Sequence, residues 1–155
     1  MNIEITRASI ADAGRLIEIQ KQCFYDDFMA YGKCPVYNES LQAMEKNIAN
    51  AIVYKIMKDG EIIGDIIVRQ NTHNRYYLRV ICVLPVYQNL GIGQKAMMHI
   101  EKDLSDALEW ELITSFKSYR NHHFYAKMGY VKIREYVQSD ALTMFVFRKC
   151  MTNLN

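Results

Sequence analysis

The stretch Val83-Leu84-Pro85-Val86-Tyr87-Gln88-Asn89-Leu90-Gly91-Ile92-Gly93 constrains this chain more than any other. Branched and aromatic residues from Arg75 to Leu84 read as a strand, and Pro85, which has no N–H to give to a ladder, stops it. Beyond the glycines, Ile92, Ala96, Ile100 and Leu104 recur on one helical face, with Lys95, Lys102 and Asp103 elsewhere. Strand, glycine-bearing turn and helix N-terminus together make an anion site. The first N–H groups of a helix lack internal partners and carry the positive end of its dipole. Gly91 and Gly93 remove the β-carbons that would keep a diphosphate off the backbone. The physical expectation is a pyrophosphate-containing ligand over Gln88–Gln94.

Two other readings use the same residues. Gly91-Ile92-Gly93-Gln94-Lys95-Ala96 fits the loose Gly-x-Gly-x-x-Ala form of a dinucleotide turn, and Glu111 follows about 20 residues on. That turn follows its strand directly, whereas here several residues separate Pro85 from Gly91. Only about 60 residues remain after the loop, too few for a second mononucleotide half. The blander reading is a helix cap with incidental glycines.

The rest of the chain reads as one domain over residues 1–155, without repeats, linkers or low-complexity tracts. Asn2–Ala8 alternates like a strand, and Ser9-Ile10-Ala11-Asp12 resembles a helix start. Ile10, Ala13, Leu16 or Ile17, Gln20 and Phe24 fall near one face of that helix, and a second helix after Asn38 has Leu41, Met44, Ile48 and Ala51 as its apolar stripe. Between them lies an aromatic and acidic stretch with Phe24, Tyr25, Asp26, Asp27, Phe28, Tyr31 and Tyr37. Ile52–Met57 and Glu61–Val68 form a hairpin about Asp59-Gly60. Trp110–Phe116 is a strand, Asn121–Met128 a short helix that Gly129 ends, and Tyr130–Val137 with Leu142–Arg148 a closing strand pair. The order β-α-α-β-β-β-α-β-α-β-β gives an α/β mixed sheet with helices packed on it.

Composition excludes several classes. A formal net charge of +2 with no clustered basic stripe gives no case for nucleic acid. Cys23, Cys34, Cys82 and Cys150 are scattered, without the spacing of a zinc site, and read as reduced thiols. The amino terminus lacks the apolar core of a signal peptide, and no run approaches the ~20 apolar residues of a membrane span. The expectation is a cytoplasmic protein with no metal and no membrane partner.

The segment Gln88-Asn89-Leu90-Gly91-Ile92-Gly93 resembles the coenzyme A loop, Arg/Gln-x-x-Gly-x-Gly/Ala, of the GCN5-related N-acetyltransferase (GNAT) family. A second match is Ser118-Tyr119-Arg120-Asn121-His122-His123-Phe124-Tyr125-Ala126-Lys127-Met128-Gly129-Tyr130. It is similar to the family stretch in which an Asn or Ser stands seven residues before the Tyr of a Phe-Tyr-x-Lys-x-Gly-Phe/Tyr run. Element order matches that fold from first strand to last.

The resemblance implies acetyl-coenzyme A as cosubstrate and a primary amine of a small molecule or peptide as acceptor. It assigns the backbone of Ile81, Cys82 and Val83 to the pantetheine arm and acetyl carbonyl. Gln88, Asn89, Leu90, Gly91, Ile92, Gly93 and Gln94 fall to the pyrophosphate, with Ser118 and Asn121 also at the coenzyme. Ser118 stands where the family usually has Asn. Tyr125 takes the position of the general acid: a phenol with pKa near ~10 can protonate a departing thiolate whose thiol pKa is ~8.5. The alternative for Tyr125 is packing beside Phe124. His122 and His123 read as packing or solvent-facing residues, and Cys82 as a small strand residue.

The family often carries a Glu on the central strand to deprotonate the amine; here Tyr76, Tyr77, Leu78, Arg79, Val80 and Ile81 offer no carboxylate. Water leading to Asp26, Asp27 or Glu135 is one substitute, and an amine of low pKa another. Phe24–Tyr37 lies where the family builds its acceptor wall and suits a cationic amine. A coenzyme-binding sensor without efficient catalysis is the alternative function. The closing strand pair is placed to join a partner's sheet in a homodimer.

Overall fold

The computed structural model describes residues 2–151. Its centre is a seven-stranded mixed sheet in the order β1-β2-β3-β4-β5-β7-β6, with five helices. The strands are β1 (Ile3–Arg7), β2 (Ile52–Lys58), β3 (Glu61–Gln70), β4 (Arg75–Val83), β5 (Glu109–Ser115), β6 (Val131–Ser139) and β7 (Leu142–Cys150). The helices are α1 (Ala13–Cys23), α2 (Tyr25–Tyr31), α3 (Leu41–Asn50), α4 (Ile92–Asp103) and α5 (Tyr119–Lys127).

Alternation along β2 separates the two faces of the sheet. Lys55 reaches Asp12 at the start of α1 at 3.0 Å, while its neighbour Tyr54 meets Asp103 and His99 of α4. α1 and α3 therefore cover one face and α4 the other. β3 is buried from Ile63 to Val68 because both faces are covered there, which is why its sequence is a continuous apolar run apart from Asp65. At the far edge every residue of β6 is exposed, Val131 and Val137 included.

The capping pair at Ser9 and Asp12 forms, the Ser9 N–H reaching Asp12 Oδ2 at 2.8 Å. It opens a 3-10 turn that passes into α1, and this leaves Ile10 exposed instead of on the core face. α1 buries Ala13, Leu16, Ile19 and Gln20. The expected apolar stripe of α3 is also corrected. Met44 is buried and Ile48 packs half-buried against the core, as expected, but Leu41 sits in the exposed first turn and Ala51 lies past the helix end. A helix not expected from the sequence, α2, occupies the aromatic and acidic stretch and ends at Gly32, whose φ of 70° is the left-handed cap. Among the described residues no helix is long and apolar enough to cross a membrane.

Candidate active site

β4 and β5 are the one parallel pair in the sheet, and they stay paired only from Arg75–Glu109 to Tyr77–Glu111. Beyond Tyr77 they part, because β5 follows β7 along its whole length. The Leu84 N–H donates to the Ile63 carbonyl at 2.9 Å, which sets the phase of the β3–β4 ladder. With Asp65 opposite Cys82 and Ile67 opposite Val80, those residues turn their backbone groups toward β3. Ile81 and Val83 turn theirs into the gap, where β5 supplies no partner. Cys82, expected to bind through its backbone, instead points its peptide groups into the sheet; it is one of the cavity's lining residues, and its thiol donates to Asp65 Oδ1 at 2.9 Å.

The loop after β4 is held from several directions. Gln88 Nε2 donates to the Val83 carbonyl at 3.1 Å, and Gln88 Oε1 accepts from Arg120 Nη1 at 2.9 Å. Arg120 Nη2 donates to Asn89 Oδ1 at 2.8 Å. Asn89 and Gly91 both have positive φ, 64° and 78°, and Gly91 caps α4 without a side-chain bond. The Lys95 backbone N–H donates to the Gly91 carbonyl at 3.1 Å, so Ile92, Gly93 and Gln94 are the first-turn residues whose N–H groups have no carbonyl of their own helix to reach. A β-carbon on Gly93 would meet the Phe124 ring at 3.4 Å, an ordinary contact distance, which places α5 close against this turn of α4.

These features open onto one cavity of about 690 Å³. Ile81, Cys82, Val83, Gln88, Asn89, Gly91, Ile92, Gly93, Gln94, Ser118, Asn121 and Tyr125 all line it. Leu90 is exposed and does not. Ser118 precedes α5, and Asn121 Nδ2 donates to Thr114 Oγ1 at 3.4 Å. Tyr125 is buried, packed against Phe124, Tyr130 and Phe147, and burial with Tyr77 nearby pushes its phenol well above the ordinary value. It stays protonated, the state an acid needs. His122 stacks on Phe145 and Phe147 and bonds the Ser115 carbonyl, a packing role, whereas His123 is exposed at the cavity.

Sequence reasoning passed over Arg120, Lys127 and Cys23 at this cavity. Arg120 lies inside the second motif, and its position one helical turn before Phe124 was the available signal. Asp26 and Asp27 of α2 line the cavity as well, so cations from α5 and carboxylates from α2 border the same space. Burial, and then the Asp26 charge, raise Asp27 above the usual carboxylate range. The donor set fits a coenzyme A: unpaired helix N–H groups and Arg120 for phosphates, and strand amides in an open gap for the pantetheine arm.

Comparison with known proteins places these features in a family. Residues 14–130 match the acetyltransferase (GNAT) family, and the chain belongs to it. The family uses acyl-coenzyme A. The uncharacterized protein YrkN of Bacillus subtilis (strain 168) is 33% identical over 105 residues, 64% of this chain and 57% of that one. The match thus spans a little over half of that relative's length. Among solved structures, the PaiA N-acetyltransferase of Thermoplasma acidophilum in complex with coenzyme A superposes with a TM-score of 0.83 at 21% identity, covering 97% of this chain and 100% of that one. The ribosomal-protein-S18-alanine N-acetyltransferase of Escherichia coli gives 0.80 at 14% identity, covering 99% and 97%. At these identities the likeness is one of fold.

Proposed function

We propose that this chain is an acetyl-coenzyme A-dependent N-acetyltransferase, one domain over residues 1–155, acting on a primary amine of a small molecule or peptide by direct attack in a ternary complex. The observation that carries the reading is that Tyr125, the β4–β5 gap and the α4 N-terminus line one cavity. That the Thermoplasma neighbour holds coenzyme A, and that the Escherichia coli neighbour is a ribosomal-protein-S18-alanine N-acetyltransferase, support it by analogy of fold.

When bound, the coenzyme supplies an acetyl carbon activated as a thioester. Gln88, Asn89, Gly91, Ile92, Gly93 and Gln94 hold the diphosphate with their backbone, Arg120 adding charge. Ile81 and Val83 pair with the pantetheine amides, and a Val83 N–H stabilises the oxygen of the reacting carbonyl. Ser118 and Asn121 line the coenzyme's path. Tyr125 gives its proton to the departing sulfur. Asp26 and Asp27 draw a cationic amine to the other end of the cavity.

One observation favours a sensor: β4 carries no carboxylate facing the gap. Thiol release measured across polyamines, amino acids, aminoglycosides and peptides, in wild type and Tyr125→Phe, separates the readings. Turnover lost in Tyr125→Phe supports the enzyme; tight coenzyme binding with no release for any amine supports the sensor.

A further inference from the structure

Asp65 is a carboxylate in the middle of the sheet, fully buried, and none of the roles above uses it. It lies on β3 directly opposite Cys82 of β4. Its Oδ1 accepts a hydrogen bond from Cys82 Sγ at 2.9 Å, and its Oδ2 is buried with no partner. A buried carboxylate short of donors is held at a cost unless it gains a proton. Cys82 is the only residue bonded to Asp65 through its side chain among the described residues, and Cys82 lines the cavity between Ile81 and Val83. The family's usual carboxylate is missing from β4, and here a carboxylate stands one strand away, joined to the cavity through one thiol.

We infer that Asp65 receives the proton released by the acceptor amine, relayed through the Cys82 thiol. The inference rests on the N-acetyltransferase reading. As the amine nitrogen bonds to the acetyl carbon and the carbon–sulfur bond breaks, an N–H proton passes to Cys82 Sγ while the Sγ–H proton passes to Asp65 Oδ1. Tyr125 supplies the sulfur's proton; after release Asp65 returns its proton through Cys82 to solvent in the cavity, and Tyr125 takes one up from solvent, so each group starts the next turnover as it began. Asp65 therefore acts through Cys82 and does not touch the amine.

The neighbours of Asp65 suit this role. Lys55, opposite it on β2, is engaged by Asp12. Arg79 of β4 is paired with Glu39 at 2.7 Å, and of these two charges Glu39 raises the Asp65 carboxyl more than Arg79 lowers it. Burial foremost, against the lowering pull of the Cys82 bond and with Glu39 adding to it, brings Asp65 to about 7, where a proton acceptor is most effective near neutral pH. Contact with the Cys23 thiol of α1, then burial and the Asp65 charge, push the Cys82 thiol well above its ordinary value. It is a protonated carrier and not a nucleophile.

The test compares wild type, Asp65→Asn, Cys82→Ala, Cys82→Ser and the double variant Asp65→Asn/Cys82→Ala, with an amine that wild type acetylates. The relay predicts that Asp65→Asn and Cys82→Ala each lower kcat/KM about 100-fold near neutral pH and remove the limb near pH 7, at unchanged coenzyme affinity. The double variant is no slower than either alone, and Cys82→Ser, whose hydroxyl both accepts and donates, recovers most of the loss. Independently of turnover, wild type shows an infrared carboxyl band titrating near pH 7 that Asp65→Asn lacks. If Asp65→Asn does not fold, Cys82→Ala against Cys82→Ser carries the test. An unchanged pH profile in a folded variant, or no such band, overturns the relay alone. A wild type that acetylates no amine overturns the relay and the N-acetyltransferase reading together.

Discussion

A β-carbon on Gly64 would lie 2.3 Å from the carbonyl oxygen of Cys82, so β3 and β4 close on each other at a residue that has none. This contact fixes the register that sets Asp65 against Cys82 and turns Ile81 and Val83 into the gap. Gly64→Ala must push backbone against backbone, with no flexible side chain to yield. It is expected to cost about 1–3 kcal/mol in urea unfolding and to weaken coenzyme binding in the folded remainder. Wild-type stability in Gly64→Ala would show that the strands have slack.

The stability of the protein should carry the mark of Asp65. Its folded pKa, about 7, lies above the ordinary 3.8. The protonated form is thus the one the fold accommodates: stability from this group is full below about pH 4 and lost as pH rises toward 7. Asp65→Asn should flatten that decline, by an amount on the order of 4 kcal/mol at most, between about pH 4 and pH 8. Parallel urea-unfolding profiles for the two proteins would contradict it.

Tyr125→Phe keeps the ring that packs on Phe124, Tyr130 and Phe147 and removes only the hydroxyl. The expected result is a kcat lowered about 100-fold with coenzyme affinity unchanged. Because burial holds the phenol protonated, wild-type kcat should not fall between about pH 8 and pH 10. Steady-state thiol release over that range reads both effects.

Arg120 ties α5 to the loop through Gln88 and Asn89. Arg120→Ala should raise the Kd for coenzyme A about 10-fold and reduce its dependence on salt, since a cation lining the cavity is lost. Calorimetry at two ionic strengths reads both.

Asp26→Asn/Asp27→Asn should raise KM for a cationic amine and leave KM for the coenzyme unchanged. Both residues line the cavity from α2. An unaltered acceptor KM would remove α2 from the acceptor site.

The place of the loop and Tyr125 at the cavity was legible in the sequence because the signals are local: Gln88–Gly93 is contiguous, and Tyr125 follows Ser118 at fixed spacing. The strands were legible from alternation and branched residues, to within a few residues at their ends. Asp65 was not, because it meets Cys82 only through strand register, 17 residues away in sequence. α2 escaped notice because seven residues with two adjacent aspartates show no helical stripe, and it is Gly32 that defines its end. Leu41 misled because periodicity does not say where a helix emerges from the core.

The most direct measurement is calorimetric titration of the purified protein with acetyl-coenzyme A, with NADH as control. The account predicts saturable micromolar binding of acetyl-coenzyme A and none of NADH. Binding of NADH alone, or of neither ligand by well-folded protein, would contradict it.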